Sequence, residues 1–325
     1  MKICDITGVK PDVRVFEPSN ELPDPRQGLG IEVELERSSP SVLLNIGRSS
    51  YWSVKEDESL RLYGIEIVHK FPVFGVDLVK SLDELDSHVY SSDGDILLTS
   101  RGSVHVHIDV RGWDTDELLR FVALYQALEP LLFEVYGKGR KNSNFCIPWS
   151  DTDFGLIVGG AMKSKAGIKK MLSSSSKYLS LNLQPSFTYG SIEVRLKSSA
   201  LGEELREWVN IILCITKYIK NNDFDIKELP KMSSTRGFSQ LVRDIFGVYS
   251  GKFIELDNFL HLVYVGIRSL QDSFNLSYVK TSFNNEFVIN QAKKFYVSNR
   301  LKPPSIDTTE NNKKKELGDF NIFVL

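Results

Sequence analysis

Cysteine and histidine are both scarce in this 325-residue chain, which has three of the first and five of the second. Cys4, Cys146 and Cys214 lie far apart and form no C-x-x-C pair, which argues against a disulfide scaffold or a zinc ribbon. The first residues, MKICDITGVKPDVRVFEPSN, lack the long apolar core of a signal peptide. No apolar run is long enough to span a bilayer. These absences predict structural thiols in a reducing, cytoplasmic setting and no membrane partner. An excess of one charge is missing too. A net charge of -2 gives no global basic footprint for nucleic acid. The runs KGRK (138–141), IKK (168–170) and NNKKKE (311–316) read as solvated surface. What remains, 42% hydrophobic and 25% charged, describes a globular chain with a substantial core.

Residues 1–27 read as an extended lead-in rich in turn formers. IEVELE (31–36) alternates strictly, the mark of a half-buried strand. Further strands are expected over 51–55, 63–68, 103–110, 178–184 and 191–196, the last two as a hairpin joined by PSFTYG. Helical spacing predicts helices over 77–89, 115–136 and 203–219, with a kink or break at Pro130. The stretch 145–170, containing GLIVGGAMKSKAG, reads as a glycine-rich loop, either a cover or plain surface. From 221 to 301 the pattern is helical (235–246, 257–272, 287–299). Residues 302–325 read as a mobile polar linker ending in apolar FNIFVL.

Chemistry enters through what shares a face. Glu32, Glu34 and Glu36 point one way on their strand. Glu66 sits between Ile65 and Ile67, and His105, His107 and Asp109 share a face opposite Val104, Val106 and Ile108. Glu193 and Arg195 oppose Ile192, Val194 and Leu196. IEVELE or IEVRL alone reads most often as the solvated side of a sheet, and the histidine pair less so because histidine is scarce here. Together they repeat metal-ligand types. Same-face neighbours on a strand stand about 7 Å apart, and carboxylate oxygens bind Mg2+ at about 2.0–2.1 Å. Glu32 and Glu34 are therefore expected to hold separate ions, a pair suited to polyphosphate, with an arginine at the edge for a transferred phosphoryl group.

In order, GIEVE (30–34), WSVKEDESL with YGIEIV (52–68), GSVHVHID (102–109), RKNSNFCIP (140–148), YLSLNL (178–183) and SIEVR (191–195) resemble the amidoligase family, relatives of glutamine synthetase and the glutamate–cysteine ligases. The resemblance covers about residues 28–215. It implies an α+β fold: a curved, mostly antiparallel sheet of the glutamine synthetase-like kind with flanking helices, catalytic over 28–220, and a helical C-terminal part. It implies two Mg2+ or Mn2+ ions and ATP. Glu32 and Glu34 would bind different ions, Glu66 would share the ion of Glu34, and His105 would join the other. Glu193 would complete the set, with Arg195 facing the γ-phosphate and His107 the nucleotide phosphates. Arg140 would be a further phosphate or substrate arginine. Asn182 and Tyr178 would position ligands or satisfy the sheet. Two departures are Asp57-Glu58-Ser59, where the family commonly has Asp-Gly-Ser, and Val104, where a small residue is usual.

The implied reaction joins a carboxylate to an amine through an acyl phosphate. The substrates' identities and the oligomeric state are not legible. Two rivals stay open at this point: a metal-dependent hydrolase using the H-x-H-x-D strand, and a non-catalytic binding module on a ligase-like fold.

Overall fold

A computed structural model describes residues 1–274 except 13, 37–43, 62–63, 91–95, 100, 142, 153–154, 162–163 and 234. The expected helix over 287–299, the linker from 302 and the FNIFVL tail lie outside the described residues. The described chain is α+β. Strands β1 (Leu29–Leu35), β2 (Trp52–Glu56), β3 (Ile65–His69), β4 (Ser103–Asp109), β5 (Leu181–Asn182) and β6 (Ser191–Ser198) form one six-stranded sheet, ordered β2-β3-β1-β4-β6-β5. Every pairing between these strands is antiparallel.

Period-2 alternation decides which way each side chain faces. In β1, Leu29, Ile31, Val33 and Leu35 are buried, and Gly30, Glu32 and Glu34 are half-buried. Register carries that choice across the sheet. Ile31 opposes Val106 and Val33 opposes Ile67 on one side, while Glu32 opposes His105 and Glu34 opposes Glu66 on the other.

Helices among the described residues include α1 (Cys4–Thr7), α2 (Gly75–Tyr90), α3 (Thr115–Tyr136), α4 (Gly155–Ala161), α5 (Lys165–Ser174), α6 (Gly202–Asn221), α7 (Thr235–Phe246), α8 (Gly251–Ile254) and α9 (Phe259–Phe274). Helix α3 packs on β6 and α6 on β4. Their Leu118, Phe121, Leu128, Leu205 and Val209 join Ile31, Val33, Val104 and Val194 in one buried core. Each such aliphatic side chain stabilises the fold by about 1.5–3 kcal/mol. Asp114 starts α3 with a reciprocal cap: its carboxylate accepts from Glu117 N at 2.8 Å, and Glu117 accepts from Asp114 N at 2.7 Å. Helix α9 crosses α3 at Gly266, where an added Cβ would lie 2.1 Å from the Ala127 carbonyl oxygen.

Several expectations change. Helix α3 runs through Pro130 without a break. Leu128, Leu131 and Leu132 are fully buried on either side, so packing outweighs the lost backbone hydrogen bond. The 178–184 strand shrinks to the two residues of β5. Leu179 instead forms a parallel bridge with Ile147, and Gln184–Phe187 makes a 3-10 turn. The stretch 145–170 is not one loop but holds α4 and the start of α5, which Ser164 caps through Gly167 N at 3.1 Å. The lead-in contains α1, with Ile3 and Ile6 buried. The three cysteines are free, and burial pushes the thiols of Cys146 and Cys214 up to about 11. No helix among the described residues is long and apolar enough to cross a membrane.

One acid sits inside this core. Glu129 of α3 is buried, accepts from Trp149 N at 3.1 Å on both oxygens, and accepts from the Ser180 hydroxyl. Burial pushes its carboxyl up from 4.5 to about 7. The folded state therefore favours the protonated acid. Its contribution is complete below about 4.5 and fades as pH rises through about 7. At about 1.4 kcal/mol per pH unit, the loss is on the order of 3 kcal/mol. Urea unfolding across that window is expected to show it in the wild type. Glu129→Gln keeps an acceptor for Ser180 and Trp149 and is expected to flatten the slope; an unchanged slope would assign the pH dependence elsewhere.

Candidate metal centre

Four adjacent strands, β3, β1, β4 and β6, present their polar residues to one place. Glu32 Oε2 lies 3.0 Å from His105 Nδ1, and Glu193 Oε1 lies 3.2 Å from the same nitrogen. His107 Nε2 lies 3.2 Å from Glu32 Oε1 and 4.0 Å from Glu193 Oε1. His105 and Glu193 are buried at 2% and 3% exposure, so these contacts form away from bulk water.

Serines orient both imidazoles. Ser103 donates to Glu34 Oε2 at 2.5 Å and sits 2.7 Å from His105 Nε2. A hydroxyl that gives its proton to a carboxylate accepts from the imidazole, which places a hydrogen on His105 Nε2. Nδ1 faces two carboxylate oxygens. A serine holds His107 as well. Its Nδ1 bonds Ser191 Oγ at 3.0 Å, while its buried Nε2, although close to Glu32, has no aligned hydrogen bond. Nitrogens turned toward carboxylates either carry a proton or share a cation with them. The donor set fits a metal ion, with each imidazole fixed from behind by a hydroxyl.

Ligand atoms fall into two groups, each within 4.8 Å: Glu32, His107 and Glu193; and Glu32, Glu66 and His105. Glu32 belongs to both. The sequence expectation gave Glu32 and Glu34 separate ions and placed Glu66 with Glu34. The geometry instead joins Glu66 to Glu32 and His105, puts His107 among the ligand atoms, and leaves Glu34 outside both groups on Ser103.

Electrostatics follow the crowding. Burial pushes the Glu32 carboxyl up, but the imidazoles of His105 and His107 beside it outweigh that and hold Glu32 well below the usual range. Glu193 is likewise lowered: burial raises it, and His105, Arg195 and His107 win. Burial and repulsion from Glu32 raise Glu66 despite its ion pair with Lys55. Burial lowers His107, and Glu32 and Glu193 more than restore it.

Arg195 pairs with Glu193, lies 3.5 Å from His105 Nδ1, and keeps a buried Nε without a partner. Asn182 donates to Glu193 Oε2 at 2.7 Å. Arg140 is elsewhere: buried at 2% exposure, it reaches the carbonyls of Gly102 and Arg101 at 3.3 and 3.4 Å. Tyr178 is exposed and packs edge-on against Phe145. Sequence reasoning missed Ser103, Ser191, Lys55 and Tyr189. The first two share a face with His105 and Glu193 two residues on, so strand parity could have found them. Lys55 sits opposite Glu66 only through the β2–β3 register. Tyr189 stands edge-on to His107, with ring centres 6.2 Å apart, and has no such signal.

In comparisons with known proteins, the chain matches no family model and no curated protein.

Titration calorimetry with Mn2+ tests the grouping. Glu32→Gln is expected to weaken both cation sites, and Glu66→Gln only the site with His105. Ser191→Ala should cost about 10- to 100-fold at the His107 site. A wild-type chain that binds no Mn2+ would overturn the centre.

Proposed function

We propose that the protein is an ATP-dependent carboxylate–amine ligase of the amidoligase kind, built on a glutamine synthetase-like sheet and using Mg2+ or Mn2+. The observation that carries this reading is the convergence of Glu32, Glu66, His105, His107 and Glu193 beside Arg195. In the proposed reaction a substrate carboxylate attacks the γ-phosphorus of ATP, releasing ADP and forming an acyl phosphate. An amine then attacks the acyl carbon, loses a proton, and phosphate leaves. Bound divalent ions would neutralise the polyphosphate during transfer.

The chain's own groups have defined parts. Arg195 offers a guanidinium to the phosphoryl oxygens, and its pairing with Glu193 sets its direction. Asn182 holds Glu193 in place. Lys55 offsets Glu66 at the rim. His69 and Asp109 weigh against the hydrolase. His69 is half-buried, accepts from Ile31 N at 3.2 Å, and is pulled down to about 3 by desolvation. Asp109 pairs with Arg111 at 2.6 Å and belongs to neither ligand group. The H-x-H-x-D strand thus supplies two candidate ligands, not three.

Carboxylate and amine pools screened for Mg2+-dependent ADP release, with mass spectrometry of the product, are expected to yield an amide. Arg195→Ala should slow turnover by about 100-fold with a smaller effect on nucleotide affinity. Hydrolysis that proceeds without nucleotide would replace the ligase by the hydrolase. Failure to bind Mg2+-ATP would favour a non-catalytic module.

A further inference from the structure

A cavity of about 460 Å³ opens where the acid-bearing strand β1 ends, lined by Glu36, Arg61, Arg101, Ser143, Asn144 and Phe145 among others. That volume suits a small molecule. Its charge is lopsided. Two guanidiniums face one carboxylate, and the carboxylate is already engaged: Glu36 Oε1 accepts from Arg61 N at 3.0 Å and stays 3.9 Å from Arg101 Nε. Arg101 spends Nε and Nη2 on the single carbonyl of Ser59, at 3.2 and 3.0 Å. A guanidinium has five N–H donors, so three remain. The Arg61 side chain has no polar partner among the described residues.

The cavity is coupled to the metal centre by the backbone. In the β1–β4 register Val33 opposes Val104. Onward from there, one strand runs from Glu34 to Glu36 and its neighbour runs back from Ser103 to Arg101. Ser103 grips Glu34 while Arg101 reaches the cavity. The two chains touch at Gly102, where a Cβ would lie 2.7 Å from the Glu34 carbonyl oxygen. Arg140, buried behind this segment, braces the Arg101 and Gly102 carbonyls. Phe145, 47% exposed, supplies an apolar wall.

We propose that this cavity binds the anionic oxygens of a small molecule, a carboxylate or a phosphate, through Arg61 and Arg101. It rests on the ligase reading only in identifying that guest with the acid substrate, anchored by a group other than the one activated. Guanidiniums match both anions through paired N–H donors.

The test uses the full chain and three probes, succinate, glutamate and inorganic phosphate, titrated with ligand-observed NMR. At least one is expected to bind saturably. The Arg61→Ala, Arg101→Ala double variant should bind it at least about tenfold more weakly, with Mn2+ affinity at the acids unchanged. Arg101→Ala alone, an exposed change, repeats the measurement if the double variant folds poorly. Carboxylate binding without phosphate assigns an acid guest; phosphate without carboxylate assigns a phosphorylated one. No saturable binding by any probe, or equal binding by the variants, overturns the proposal. Anion binding in a chain that never releases ADP keeps this site and rejects the ligase. ADP release without anion binding does the reverse.

Discussion

The pairing of β1 with β4 decides what the polar face can do. It sets Glu32 against His105 and Gly30 against His107, and the period of two carries the same choice to every neighbour. A slip of one residue would send the acids into the core and the aliphatic residues out. What prevents it lies on the opposite face. Ile31, Val33, Val104 and Val106 are at 1% exposure or less, and burying four such side chains stabilises the register by on the order of 6–12 kcal/mol. Two like charges 4 Å apart repel by about 4 kcal/mol at the effective dielectric of a protein site. The core therefore outweighs the repulsion it imposes, and the acids stay where the apolar residues put them.

That imbalance explains the state of the individual groups. Glu32, Glu34, Glu66 and Glu193 meet with only Arg195 and Lys55 as fixed cations nearby among the described residues. The two imidazoles make up part of the deficit. Both are oriented by serines so that one nitrogen faces the acids. A site that served stability alone would have no reason to raise Glu66 by crowding while leaving the Nε of Arg195 and the Nε2 of His107 without hydrogen-bond partners. Local cost sustained by a well-packed frame is the pattern of a functional site.

Much of this was legible in the sequence because alternation is local. The strand faces of 31–36, 65–67, 103–109 and 191–196 follow from reading every second residue, and they delivered the acids, both histidines and Arg195 to one surface. Which acid meets which histidine is a matter of register and side-chain reach, and sequence spacing contains neither. Hence Glu66 stands with Glu32 rather than with Glu34, and His107 ranks with the ligand atoms. Glu129 shows a different blind spot. Its spacing on α3 marks it only as a helix former, and its burial depends on Trp149 and Ser180 arriving from distant segments. Pro130 misleads for the same reason: a local rule allows a break there, and long-range packing keeps the helix continuous.

On the proposed reading, the strands also order the substrates along one line. Same-face positions on a strand are about 7 Å apart, so Glu32, Glu34 and Glu36 lead stepwise from the Arg195 end of the face to the Arg61–Arg101 cavity. Polyphosphate at Arg195 and an anchored acid at Arg101 would approach the carboxylates from opposite ends of that line. Ser103 ties the two ends together, since the segment that grips Glu34 also aims Arg101. Gly102 is then a positional requirement: its missing side chain lets the cavity's arginine ride against the strand that carries the metal-face acids.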